Sequence, residues 1–253
     1  MKAHPPLRYH QATLDLLQAS PLVSPTAVEA LNHLNGQLTM PLPTSVREWY
    51  SLQQATAWLA EYSNDDDPIP VEQLSAVESS GEGRPVDQQA RAQPELIPIL
   101  HENQDVWTWA LQLNGTEDPP VVVALQQPSP EAHWHWEPYA VTFSCFVYTR
   151  VWDHQGLFSG HALFGQLPCT SAELHFLQAQ FTQEPQTVTY PTPVTYRFSR
   201  GTERVLLWYN EAAGWTAWAL SAASEDALEH LLGTIGSCGA LAEALPDLGR
   251  FER

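Results

Sequence analysis

Apolar positions recur every three or four residues through the first 75 residues, and from Glu95 onward they alternate. That change of period predicts helices first and antiparallel strands afterwards. In residues 24–36, SPTAVEALNHLNG, Ser24 suits a helix cap, Pro25 the first helical position and Gly36 the end. Val28, Leu31 and Leu34 then share the inward face. A second helix is predicted from TSVREWY, where Ser45 and Glu48 have the spacing of a capping box and Val46, Trp49 and Tyr50 form an aromatic face. Helical spacing resumes through Leu52, Ala55, Leu59 and Tyr62 and stops at NDDDPIP. Residues 76–94 are polar and rich in breakers, which predicts a long surface loop.

Three strands follow: ELIPILHE, DVWTWALQL and PPVVVAL. Asn114-Gly115 lies between the last two and readily supplies the left-handed backbone of a turn. Within the middle strand Trp107, Trp109 and Leu111 fall on one face, and Val106, Thr108 and Ala110 on the other. Both faces are mostly apolar, so this strand is expected at the sheet centre, covered by helices. After the polar stretch QQPSPEAHWHWEP, a helix is predicted from Pro138 with Tyr139, Phe143, Phe146, Val147 and Val151 as its apolar stripe.

The last hundred residues repeat this grammar. TSAELHFLQAQF opens with a capping box at Thr170 and Glu173. PVTYRFSR, RVLLWYN and GWTAWALSA read as three strands with tight turns at Gly201 and Gly214. SEDALEHLLGTIG closes as a helix, capped by Ser224, with Leu228, Leu231, Leu232 and Ile235 inward. The pattern predicts an α+β protein. An antiparallel meander sheet packed by helices occupies residues 10–153. A second meander-plus-helix unit, separate or an extension of the first, occupies residues 154–253.

Charge changes the picture. The chain has 29 acids against 11 bases, and 18 of those acids but only three bases lie between Tyr9 and Phe146. Such a field repels nucleic acid and anionic lipid and speeds encounter with a basic protein; it also serves solubility alone. No apolar run approaches a membrane span, and the N-terminal residues lack the apolar core of a signal peptide. Three scattered cysteines, Cys145, Cys169 and Cys238, read as reduced thiols. A cytoplasmic location is expected.

Candidate chemistry is sparse. His133 and His135 lie two apart in HWHWE, a spacing that can start a metal site, with Glu131 or Glu137 adding oxygen. The plainer reading is two histidines in a loop anchored by its tryptophans. A metal-dependent hydrolase built on this pair is the least favoured alternative. Asp65, Asp66 and Asp67 lack the spaced pattern of a calcium loop. Ser159 beside His161 does not match a nucleophile elbow, and there is no phosphate loop or dinucleotide fingerprint. The expectation is a protein without catalysis, metal or cofactor. Most of the 10 tryptophans lie on apolar faces, where core packing is the default. Trp107, among acids at a strand start, is the candidate contact anchor.

One ordered set of short motifs carries a resemblance. It runs through Leu42-Pro43 before Trp49-Tyr50, Ile97-Pro98-Ile99, Trp107 with Trp109, and Asp118-Pro119-Pro120-Val121, and it ends with Trp136, Phe143 and Phe146. In this order, residues 26–153 resemble the SUKH superfamily, which unites yeast cell-wall synthesis regulators with bacterial immunity proteins. The chain departs from that pattern in reading LQQATAW where family members often carry Asn-Gly, in the length of the 76–94 loop and in the last hundred residues. The resemblance implies an α+β fold and binding without catalysis. Bacterial members are thought to neutralise toxins, many of them nucleases, by direct association. The partner expected here is therefore a basic protein such as a toxin domain, met by Asp65, Asp66, Asp67, Glu102, Asp105, Trp107, Glu117 and Asp118. A housekeeping scaffold or regulatory role, as in the eukaryotic relatives, is the alternative.

Overall fold

The computed structural model describes residues 7–62, 65–76, 95–104, 106–125, 136–157, 161–167, 169–188, 194–210, 215–242 and 245–250. Expectations placed on the 77–94 loop, Asp105, Glu131, His133, His135, Ser159 and Gly214 lie outside the described residues. The protein is α+β, and the chain divides into two compact units, Met1–Val151 and Trp152–Arg253.

The first unit opens with helices α1 (Gln11–Leu17), α2 (Pro25–Asn35), α3 (Thr44–Tyr50) and α4 (Ala55–Glu61). Ser24 caps α2 as expected, its Oγ accepting the Ala27 N–H at 3.2 Å. The inward face of α2 differs by one position: Ala27, Leu31 and Leu34 are buried, whereas Val28 is 36% exposed. Helices α3 and α4 do not run together. The chain turns at Ser51–Gln54, and Leu52 forms an isolated bridge with Val23.

The Ser45–Glu48 capping box does not form. Pro43 precedes α3 without a side-chain cap, and the Ser45 N–H instead donates to the Glu117 carbonyl at 2.9 Å. The Glu48 carboxylate turns towards the chain entering α1. There it accepts the N–H groups of Arg8, Tyr9 and His10 at 2.9, 2.8 and 2.8 Å. Helix α1 has no local side-chain cap, and of these bonds only the one to the His10 N–H falls on its N-cap position; the other two fix the chain leading into it.

The sheet is the expected meander with two short additions. Strands β1 (Asp67–Pro68), β2 (Glu95–His101), β3 (Trp107–Leu113), β4 (Val121–Leu125) and β5 (Trp136–Ala140) lie in sequence order, all antiparallel. Strand β3 is central, and Thr108 through Leu111 are all buried. Gly115 adopts φ +83° in the β3–β4 connection, the conformation expected of Asn-Gly. Pro98 fits because β1 covers only Leu100 and His101 on the outer side of β2.

Helix α5 (Phe143–Leu157) starts later than predicted. Pro138 and Tyr139 belong to edge strand β5, where proline is tolerated, and Pro138 pairs with Val122. The helix begins where its N–H groups find oxygens: Thr142 Oγ1 accepts from Cys145 at 3.1 Å and Asp118 from Ser144 at 3.0 Å. Phe143 and Phe146 then point inward, fully buried, and their rings meet Tyr50, Trp109 and Tyr139. Each such ring removes about 150–250 Å² from water. The opposite sheet face holds a separate cluster of Leu96, Ala110 and Val122, with Trp136 against it.

In the second unit, strand β6 (Ala162–Gln166) and helix α6 (Ser171–Gln180) precede the short strands β7 (Thr182–Gln183) and β8 (Thr187–Val188). The three predicted strands follow as β9 (Val194–Arg200), β10 (Glu203–Asn210) and β11 (Trp215–Ser221). Helices α7 (Glu225–Gly236) and α8 (Gly239–Ala242) and strand β12 (Gly249–Arg250) complete it. The sheet order is β12-β6-β11-β10-β9-β7, with β8 also on β9. Strand β6 was not anticipated; it pairs with β11, more than fifty residues away, and no local signal records that. The capping box of α6 forms as predicted, as does the Ser224 cap of α7. Leu228, Leu231 and Ile235 pack with Phe198, Leu207 and Trp218, while Leu232 is partly buried against the same cluster. Arg197, only 1% exposed, lies across β9, held by Asp153 at 2.6 Å through two nitrogens and by Thr187, Pro185 and Thr195 oxygens.

Replacing Glu48 with alanine removes the acceptor of three N–H groups at once. Glu48→Ala is expected to destabilise the first unit by about 2–3 kcal/mol in urea unfolding. Native-state hydrogen exchange should show protection lost first at residues 8–17. A change below about 0.5 kcal/mol would refute this role for the carboxylate.

Candidate functional site

Seven of the eight expected contact residues are described, and six of them fall into two groups. Asp65, Asp67, Glu102 and Trp107 gather at one end of the sheet, around the β2–β3 turn. Asp65 is exposed with φ +58°, and Asp67 pairs with His101 across β1 and β2. Glu102 organises the turn itself. Its N–H donates to the Trp107 carbonyl at 2.8 Å, and its carboxylate accepts from Gln104 and Val106 at 2.9 and 3.3 Å. Val106 is 38% exposed, and Trp107 is half-buried with its ring 6.0 Å from that of Trp109.

Glu117 and Asp118 follow the other end of β3. Seven residues of strand, about 20 Å, separate them from Trp107. Both have internal duties. Glu117 binds Arg8 and the Tyr9 hydroxyl, each at 2.8 Å, while Asp118 holds the start of α5 through the Ser144 N–H and hydroxyl. Among the described residues, Glu117 and Asp118 thus lie apart from the sheet end that holds Asp65, Asp67, Glu102 and Trp107. Asp105 lies outside the described residues.

Asp66 sits at the correct end but faces inward. Buried, it pairs with Arg150 at 2.6 Å and accepts the Asn103 N–H at 3.4 Å. Burial pushes its carboxyl above the usual range, and the Arg150 guanidinium pulls the other way. That guanidinium lies 4.2 Å over the Trp109 ring and 5.4 Å over Phe146. Sequence reading named neither Arg150 nor Arg8 and gave Glu48 only a local capping role, since each acts on a residue at least 38 positions away.

Other clusters that could carry chemistry prove structural. His10 and Ser45 are both buried, but the His10 Nε2 bonds the Ser45 carbonyl at 3.0 Å and not its hydroxyl. The pair is therefore not a nucleophile with its base. Burial holds the Cys169 thiol up at about 12, reinforced by Glu173 and Cys238, and raises Cys238 as well. Thiolate chemistry is disfavoured at both. Glu203 is bound by Arg200 at 2.7 Å and His230 at 2.6 Å. Burial raises its pKa, but these bonds outweigh burial and leave it lowered. The three tie the β9–β10 turn to α7. Among the described residues no group of three His, Cys, Asp or Glu could hold a metal ion. No family model, curated protein or solved structure matches the chain.

His10 generates a pH prediction. Its ring packs 5.1 Å from Trp49 and 5.5 Å from Phe143. Desolvation lowers its pKa from 6.5 to about 4, against opposing contributions from the Ser45 carbonyl, Glu48 and Asp118. The unfolded chain thus takes up this proton before the folded one does. The stability His10 contributes is complete above pH 6.5 and falls as pH drops towards 4, by about 3 kcal/mol in all. Urea-unfolding free energies of wild type and His10→Phe across that window should show a flatter slope in the variant. Equal slopes would refute the assignment.

Proposed function

We propose that this chain is a non-catalytic binding protein of the immunity type, which neutralises a basic, nuclease-like toxin domain in the cytoplasm by direct association. The observation that carries the reading is the sheet end at the β2–β3 turn, where half-buried Trp107 and exposed Val106 adjoin Glu102 in the chain and exposed Asp65 and Asp67 lead into the neighbouring strand β1. A partly exposed tryptophan close to charged groups is a common protein-binding hot spot. The carboxylates are of one sign and supply a long-range pull on a cationic surface.

Three further facts support it. The α+β fold agrees with what the SUKH resemblance implies for residues 26–153. Net charge is −18, with most of the acids in the first unit. No helix among the described residues is long and apolar enough to cross a membrane.

The direct experiment is capture from the native host's lysate with the tagged full chain, at low and at moderate salt. One basic partner is expected, released as salt screens the field. The triple variant Asp65→Lys/Asp67→Lys/Glu102→Lys should lose it. Trp107→Ala should weaken the isolated complex by roughly 1–2 kcal/mol with the urea midpoint unchanged. Several unrelated partners, or a Trp107→Ala loss matched by a fall in stability, would overturn the reading.

A further inference from the structure

The edges of the two sheets are protected unequally. Strand β1 is short and carries Asp67 and Pro68, and edge strand β5 carries Glu137 and Pro138. Beside β9, strands β7 and β8 are two residues each. Charge, proline and shortness are the usual guards against pairing with another chain. Strand β6 reads ALFGQ over residues 162–166, with no charged residue and no proline. Its outer side is covered instead by residues 245–250, which pair with it through β12, only Gly249 and Arg250.

Two leucines peg that cover in place. Leu245 and Leu248 are partly buried against the core cluster of the second unit, and the Leu248 N–H donates to the Leu245 carbonyl at 3.1 Å. Each leucine meets a glycine. A Cβ on Gly165 would lie 2.7 Å from Leu248 Cδ2 and 3.3 Å from its Cα, and one on Gly236 would lie 3.2 Å from Leu245 Cδ1. Between and beyond the pegs, Pro246, Asp247 and Gly249 are exposed. A segment held by two side chains and a two-residue ladder opens more readily than the strands it covers.

We propose that residues 245–250 form a displaceable strap, and that its release lets β6 pair antiparallel with β6 of a second copy of this chain. The His161 carbonyl accepts the Ala222 N–H at 3.1 Å, in register with the β6–β11 pairs. Backbone groups alternate along a strand, so those of Leu163 and Gly165 also face β11, and those of Ala162, Phe164 and Gln166 face the strap. Two β6 strands related by a two-fold axis at Phe164 match these groups. Ala162 exchanges hydrogen bonds with Gln166 of the second copy, and Phe164 with its own counterpart. The strap pairs only opposite Leu163 and Phe164, so the strand of a second copy makes the longer ladder. Charge favours this strand as the meeting point. Two copies of net charge −18 repel at long range, whereas β6 sets no like charges opposite each other across the pair. The surface lies in the second unit and stands apart from the toxin-binding reading of the first.

The test is sedimentation velocity of the full chain between about 1 and 100 µM. Wild type should remain monomeric. Leu245→Ser/Leu248→Ser removes the pegs, and Gly165→Thr pushes the strap from its notch. Each should self-associate at least about tenfold more tightly than wild type. Native-state hydrogen exchange should show protection lost at residues 247–250, with β10 and β11 unchanged. Gln166 is exposed, and Gln166→Pro removes an outward N–H at the end of β6. Added to either variant, it should restore the monomer. Should the double serine variant fail to fold, Gly165→Thr with its Gln166→Pro control decides alone. A released strap without a dimer at about 100 µM would overturn the proposal. So would a dimer that survives Gln166→Pro, a wild type that dimerises as tightly as the variants, or unchanged exchange at residues 247–250 in a folded variant.

Discussion

The first unit depends on where one carboxylate points. Helix α1 is seven residues long, too short to persist alone, and it carries no cap of its own. Glu48, from α3, instead holds the chain entering it, and His10 there packs against Trp49 and Phe143. His10 in turn meets the Ser45 carbonyl, while the Ser45 N–H is taken by Glu117 beyond β3. A chain of polar contacts thus crosses an aromatic core from α1 through α3 to the sheet. An unmatched buried polar group is costly, so these partners must arrive together. The interaction works as a constraint on packing and adds little as an isolated bond.

Several other acids play the same part. Asp118 holds the start of α5, Asp66 holds Arg150, Asp153 holds Arg197, and Glu203 holds Arg200 with His230. Arginine is scarce here, and the described ones with buried guanidinium groups lie in these pairs. The acidic composition therefore has two meanings. Part of it is internal, replacing helix caps and matching buried cations. Others, among them Asp65, Asp67 and Glu72, are exposed and contribute charge to the surface.

What was legible in the sequence follows from the range of the interactions involved. The strands of both meanders showed through their period of two, and the Ser24, Thr170–Glu173 and Ser224 caps formed because each closes within four residues. Gly115 marked its turn for the same local reason. The Ser45–Glu48 spacing misled because a partner nearly forty residues away outcompeted the local one. Pro138 misled because an edge strand tolerates proline as well as a helix start does. Strand β6 was invisible because pairing with β11 makes it a strand. At the candidate site, Trp107 and Glu102 stood out locally. That Asp66 turns inward, and that Glu117 and Asp118 lie at the far end of β3, became plain only in three dimensions.

The inward turn of Asp66 bears on the surface it helps to build. Its bond to Arg150 sets the guanidinium against the face of Trp109, and Trp109 is the ring beside Trp107. A half-exposed tryptophan on a loose support would lose rotamer freedom on binding, which costs affinity. Here the support is a buried ring clamped between a cation and the aromatic side chains of Tyr139 and Phe146. Asp66 is thus linked to Trp107 through two intervening side chains, and on the proposed reading it would act on a partner by holding that ring in place. Arrangements of this kind favour recognition by a surface already formed, with exposed carboxylates guiding approach and a rigid aromatic completing it.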